Sequence, residues 1–256
     1  MTRIINIVSG KGGVGKTTLT SNLAYALTEL GEDVIAIDTN LTTPHLGLHL
    51  GIHLAPNTLH DVLRGDTNLS DAIYPHPSGF KILPASMSIN DLTGVDIGKL
   101  PEITSKLSGT TDYVLMDCAP GLGREAVSSI KAADELILVT SPELPSVADA
   151  LKTLKIAEKV GKKILGVVVN RVRGKWYELT KWEIEETLNL PVLVEIPEDA
   201  NVSKSITIKM PLVEYDSFSP AAIEIRRLAH QLTGREFRFE KSKLSILDRF
   251  VKWVTE

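Results

Sequence analysis

The 256-residue chain has a single cysteine, only 5% aromatic residues, and no apolar run near membrane-span length. One cysteine excludes an intrachain disulfide, a Cys-x-x-Cys redox pair and a four-cysteine metal site. A bilayer-spanning helix needs about 18 or more consecutive apolar residues, and no stretch approaches that. The opening residues, Met1 to Gly10, hold too short an apolar stretch for a signal peptide. There is no basic excess either: the formal net charge is −4, which argues against a whole-surface nucleic-acid binder. Hydrophobic residues at 43% and charged residues at 23% exclude disordered and low-complexity classes. These features predict a soluble intracellular protein with enough chain to bury a proper core.

Short apolar runs bounded by turn residues recur at 3–9, 33–37, 80–83, 112–116, 135–140, 163–169 and 192–196. Several are rich in Val and Ile and apolar on both faces, as strands buried on both sides of a parallel sheet are. Helical spacing fills the gaps at 16–30, 148–160, 176–188 and 221–232. Strand and helix alternate without a linker through residue 232, predicting one α/β domain. Its mostly parallel sheet carries helices on both faces. The expected organisation is a P-loop domain over 1–234, a charged connector over 235–243 and a terminal element over 244–256.

The first strand runs into Gly10-Lys11-Gly12-Gly13-Val14-Gly15-Lys16-Thr17-Thr18 and then into a helix. This is G-x-x-x-x-G-K-T in strand–loop–helix context. The glycines let backbone N–H groups close around phosphate oxygens, and the following helix points its positive end at the same anion. Lys16 reaches the β- and γ-phosphates, and the Thr17 hydroxyl is placed to ligate Mg²⁺. Lys11 is not needed for phosphate binding in cis. On its own it reads equally well as a solvated loop charge.

The run Lys11-Gly12-Gly13-Val14-Gly15-Lys16-Thr17-Thr18 resembles the deviant Walker A loop of the MinD/ParA family of dimeric ATPases. The resemblance implies ATP and Mg²⁺ as ligands and a nucleotide-sandwich homodimer in which Lys11 touches the partner's ATP. It extends over about residues 3–232, and 38–50 look most like archaeal members. Asp117 closes a buried strand before Cys118-Ala119-Pro120-Gly121. It suits a carboxylate linked to Mg²⁺, with helix capping as the bland alternative. Cys118 reads as a small buried filler.

Asp38 ends another strand in Asp38-Thr39-Asn40. The family pattern there is D-x-D, so Asp38 is expected near the water or Mg²⁺, while Asn40 replaces the acid that orients the attacking water. Lys11, Lys16, Asp38 and Asn40 form the expected catalytic set, and slow hydrolysis is implied. Thr17, Asp38 and Asp117 form the expected metal set. By the same resemblance Asn170 would bond the adenine, and Ile196-Pro197-Glu198-Asp199 would lie over the base, adding Pro197 and Asp199 to the nucleotide site.

His45, His49, His53 and His60 invite a metal reading, but Pro44, Gly47 and Gly51 interrupt any regular helix, so a surface or interface segment is expected. Arg171, Arg173 and Lys175, followed by Trp176, Tyr177 and Trp182, read as a solvated loop leading into a half-buried helix rather than a nucleic-acid surface.

On a helical wheel, Leu244, Ile246, Leu247, Phe250, Val251, Trp253 and Val254 share one half. Residues 235–256 carry six Lys and Arg against four Asp and Glu. An apolar face with Trp and Phe and a cationic bias suits a helix lying in a membrane interface, with a docked last helix as the alternative. The match of Phe237-Arg238-Phe239 and the amphipathic end to MinD C-termini favours membrane.

The leading expectation is a MinD-like switch: an Mg-dependent ATPase, cytoplasmic, dimeric with ATP, and peripherally attached to membrane through Leu244 to Val254. It would recruit a protein partner in spatial positioning or cell division. A ParA-like DNA-partitioning ATPase and an ATP-locked scaffold with little hydrolysis are the alternatives. The lone cysteine argues against cluster-carrying relatives, which hold their clusters with pairs of cysteines.

Overall fold

The computed structural model describes residues 2–52 and 54–238. His53 and the amphipathic segment 244–256 lie outside them. In chain order the elements are β1 (Arg3–Val8), α1 (Lys16–Glu29), β2 (Val34–Asp38), α2 (Leu46–His49), α3 (Leu59–Arg64), β3 (Tyr74–Pro75), β4 (Lys81–Leu83), α4 (Leu100–Ser105) and β5 (Tyr113–Asp117). Then follow α5 (Arg124–Ala132), β6 (Glu135–Thr140), α6 (Leu144–Lys159), β7 (Lys163–Val172), α7 (Lys181–Leu188), β8 (Val192–Pro197), α8 (Asn201–Thr207), α9 (Leu212–Tyr215) and α10 (Pro220–Thr233).

The strands form one sheet in the order β3-β4-β2-β5-β1-β6-β7-β8. All pairs are parallel except the short β3–β4 pair at one edge. The alternation of apolar side chains divides the core in two. Ile4 and Val8 of β1 face a layer that includes α5 and α6, whereas Ile5 and Ile7 face α1 and α10. Burying each such side chain contributes roughly 1.5–3 kcal/mol, so both layers are needed to hold the central strands. The mostly parallel sheet with two helical layers is therefore as expected.

Topology places the site. The chain crosses outward from β1, reaching β5 and β2 on one side and β6 on the other. That reversal opens a crevice at the C-terminal ends of the strands, where doubly wound folds bind ligands. Register sets Asp38 of β2 beside Asp117 of β5, and Asp117 beside Ile7 of β1.

One local reading changes. Residues 176–180 are loop, and the helix starts only at Lys181. The Glu178 carboxylate accepts the Arg173 and Lys175 N–H groups at 3.0 and 3.1 Å, holding that loop closed. Thr180 and Glu183 then form a capping box that fixes the helix start. At the other end of the domain, residues 235–238 fold back on it. Arg235 pairs with Glu32 at 2.6 Å, and Phe237 packs edge-on to His230 at 5.1 Å.

Candidate functional site

The glycine loop lies between β1 and α1. Gly15 caps α1 with φ +98°, a conformation a Cβ would strain. No side chain caps that helix end, so its first N–H groups face the crevice, ready for an anion. Lys16 is buried, and its Nζ donates to Ser9 Oγ at 2.8 Å. Burial lowers its pKa, while the Asp117 charge opposes that shift. Lys11 is different: its side chain is 47% exposed, outside the cradle, with Nζ 3.8 Å from Glu143.

Thr17 Oγ1 donates to Asp117 Oδ2 at 2.6 Å. Asp117 Oδ1 is buried without a partner. A hydroxyl held by a carboxylate with one oxygen to spare is the donor chemistry of an Mg²⁺–phosphate site, so these residues fit the cation. Burial raises the Asp117 pKa to about 6, against the lowering effects of Thr17 and Lys16. Asp38 is fully buried, and burial together with the Asp117 charge pushes its pKa well up. Its oxygens accept the N–H groups of Asn40, His45 and Leu46 at 3.1, 3.0 and 2.9 Å. Asp38 thus shapes the 38–46 loop as well as supplying a carboxylate beside Asp117.

That loop carries Asn40 to the crevice. Its Nδ2 donates to the Thr43 carbonyl at 2.5 Å and its Oδ1 accepts from Thr43 Oγ1 at 3.2 Å. The amide is spent on its own loop. Glu125, in the first turn of α5, ties the same loop from outside: it accepts from Leu41 N at 3.1 Å and from the Thr42 hydroxyl.

A cavity of about 370 Å³ opens above the cradle, lined by Lys16, Thr17, Asn40, His45, His49 and Arg171. A second, of about 220 Å³, adjoins it at Gly15 and Thr18. Ile196, Pro197, Val202 and Ile225 give it apolar walls, and Asn170 and Asp199 also line it. Apolar walls with a few polar groups suit a nucleotide base. The structure gives Asn170 a further job: its Nδ2 donates to the Val14 carbonyl at 2.7 Å and its Oδ1 accepts from Arg171 N at 2.9 Å. Asp199 is likewise engaged, by Asn201 N at 2.8 Å and by the Ser219 hydroxyl.

Sequence reasoning missed three residues here. His45, exposed, and His49, half-buried, line the cavity above the glycine loop, because Asp38 draws the backbone of His45 and Leu46 toward it. Burial lowers the His49 pKa to about 4. Arg171 lines both cavities with φ +61°, a strained conformation for a side chain of its size. No sequence signal marks that angle. Cys118 is buried as expected, and burial pushes its thiol up to about 11. Among the described residues no cluster of His, Cys, Asp and Glu could hold a metal by itself, and no helix is long and apolar enough to cross a membrane.

Residues 5–212 match the CobQ/CobB/MinD/ParA nucleotide binding domain. The chain belongs to that family. It is 38% identical to an ATP-binding protein of Methanocaldococcus jannaschii, over 97% of this chain and 95% of that one. It superposes with a TM-score of 0.88 on the septum site-determining protein MinD of Pyrococcus horikoshii, complexed with Mg-ADP. Identity there is 39%, covering 91% of this chain and 96% of that one. The MinC:MinD cell division protein complex of Aquifex aeolicus gives 0.80 at 30% identity, covering 93% and 98%. The MinD/ParA resemblance is borne out, and the chain carries the family's ATP-binding P-loop fold.

Proposed function

We propose that this chain is a MinD-like ATPase switch. With ATP and Mg²⁺ two copies close face to face, each Lys11 reaching the partner's nucleotide. The dimer acts in spatial positioning or cell division, recruits a protein partner, and settles on membrane from the cytoplasm through the helix from Leu244 to Val254. Residues 1–234 are the ATPase domain, 235–243 the connector and 244–256 the membrane element. Support comes from the MinD relative with Mg-ADP and from the MinC:MinD complex.

Lys16 and the backbone from Gly10 to Thr18 hold the phosphates, Thr17 with Asp117 and Asp38 holds the cation, and Asn170, Pro197 and Asp199 frame the base. Mg²⁺ offsets the charge on the phosphate oxygens during transfer. The observation that carries the reading is the contrast between the two lysines: Lys16 is buried in the cradle, and Lys11 stands half-exposed outside it.

Light scattering tests it. With a non-hydrolysable ATP analogue the mass of the parent should double. Lys11→Ala should stay monomeric while binding nucleotide nearly as well, and a parent that stays monomeric rejects the sandwich. The engaged Asn40 amide favours a second reading, an ATP-locked scaffold with little hydrolysis. Single-turnover hydrolysis decides between them.

A further inference from the structure

One exposed surface is left without an occupant by the site as described. The loop closed by Glu178 carries Trp176, which is 94% exposed, with Tyr177 edge-on to it at 5.7 Å. Trp182, in the first turn of α7, is 67% exposed. Leu144, at the start of α6, is equally exposed. Aromatic side chains of this size bury about 150–250 Å² each when covered, so leaving two tryptophans in water forgoes much stabilisation. The presentation is rigid. Leu179 N bonds the Pro142 carbonyl at 2.9 Å, fixing the aromatic loop against the turn that leads into α6.

The surface joins the nucleotide site through charge. Glu143 lies 3.8 Å from Lys11 on one side and 3.9 Å from Arg173 on the other. Arg173 also pairs with Glu198 at 2.9 Å. Lys11, Glu143, Arg173 and Glu198 therefore alternate in sign along one edge of the patch. A membrane or nucleic acid selects for unbalanced positive charge. A two-fold contact between identical chains presents the same patch from both sides, and a balanced, self-complementary pattern is what it needs.

We infer that the Trp176–Tyr177–Trp182 surface, with Leu144, is an apolar anchor of the interface with a second copy of this chain. It is covered when the nucleotide brings the two Lys11 residues across. This rests on the sandwich reading above and adds to it a surface whose loss is separable from loss of the nucleotide. Lys11 makes closure depend on nucleotide, and the aromatic surface adds affinity once the two copies meet.

The test uses the full chain carrying Trp253→Phe, so that only Trp176 and Trp182 report. With a non-hydrolysable ATP analogue, tryptophan emission should shift to the blue with the same concentration dependence as dimerisation by light scattering. Trp176→Ser with Trp182→Ser should weaken dimerisation about 30-fold or more, as loss of buried tryptophan anchors does. Nucleotide affinity of the monomer should stay within about twofold. Should the parent dimerise while its emission stays that of exposed tryptophan and the double variant dimerises equally well, the anchor is overturned and the sandwich stands. Should the variant dimerise normally but lose binding to anionic vesicles or DNA, the surface belongs to a phosphate-rich partner and the inference is again wrong. A parent that remains monomeric with nucleotide overturns both.

Discussion

Thr17 Oγ1 donates to Asp117 Oδ2 at 2.6 Å, while Oδ1 of the same carboxylate is buried and unpaired. The two residues are 100 positions apart in sequence and meet because β1 and β5 are neighbours in the sheet. Without a cation the second oxygen is buried with no hydrogen-bond partner, and the Lys16 charge offsets it only in part. Asp117→Asn should therefore lose most Mg²⁺ dependence of nucleotide binding, measured by titration with and without chelator. Retained Mg²⁺ dependence would remove Asp117 from the cation site.

The same carboxylate gives a pH signature. Its folded-state pKa, about 6, lies above its ordinary value of 3.8. The folded chain thus holds that proton more tightly. The stability from this difference is complete below about pH 4 and is lost as pH rises through about 6. It amounts to something on the order of 3 kcal/mol. In nucleotide-free protein, Asp117→Asn should raise Tm at pH 7.5 and change it little at pH 4. Equal effects at both pH values would show that Asp117 does not titrate in this range.

Gly15 is a crowded point of the loop, as Gly10 is against the Asp149 backbone. A Cβ there would stand 2.2 Å from Asn170 Nδ2, at a backbone φ of +98°. Gly15→Ala should displace Asn170 from Val14, lose nucleotide binding and cost roughly 1–3 kcal/mol of stability from backbone strain alone. Calorimetric nucleotide titration and thermal unfolding read the two effects. Near-normal binding would show that the cradle tolerates a shift of Asn170.

Asn40→Asp replaces an amide donor by an acceptor facing the Thr43 carbonyl. Two oxygens cannot share that contact, so the loop should loosen, at about 1–3 kcal/mol for the lost buried bond. The freed carboxylate can then hold the attacking water, and single-turnover hydrolysis should rise, toward the low end of the ~10²–10⁴-fold that general bases supply. An equal or slower rate would mean that the water is held elsewhere.

Anionic vesicles should bind the protein with ATP and not with ADP, and deletion of 241–256 should abolish this. Phe250→Glu should weaken it strongly, because a charge then sits in the apolar arc. Co-sedimentation reads the outcome. A deletion that lowers Tm while leaving vesicle binding intact would make 244–256 a docked helix instead.

What could be read in the chain was what chemistry fixes at short range. Gly10 to Thr18 is legible because a phosphate demands those residue types at that spacing. Asp117 is legible because a carboxylate at the end of a wholly apolar strand has few other uses. Seven strands showed as apolar runs, but the two-residue β3 has no pattern to show. The helix at 176–188 began too early, since Trp176 and Tyr177 resemble a buried face; the capping pair Thr180 and Glu183 was the correct start signal. His45 and His49 read as a surface or interface segment, because Pro44, Gly47 and Gly51 interrupt a helix, and nothing local marks them as cavity lining. Their place depends on Asp38 bonding the backbone seven and eight residues on, a long-range event with no local trace.

Arg235 returns to Leu30 and Glu32, at the far end of α1 from Lys16. With 14 residues in that helix, the two ends stand about 20 Å apart. Arg235 thus stands on the side of the domain away from the glycine loop, and the proposed membrane attachment lies further along the chain. A nucleotide could govern such an attachment by number: one attachment on a monomer, two on a pair. The second then binds at the high effective concentration set by the first. Residence on a surface would become a count of subunits, adjustable by the length of 239–243 without any change at the catalytic end.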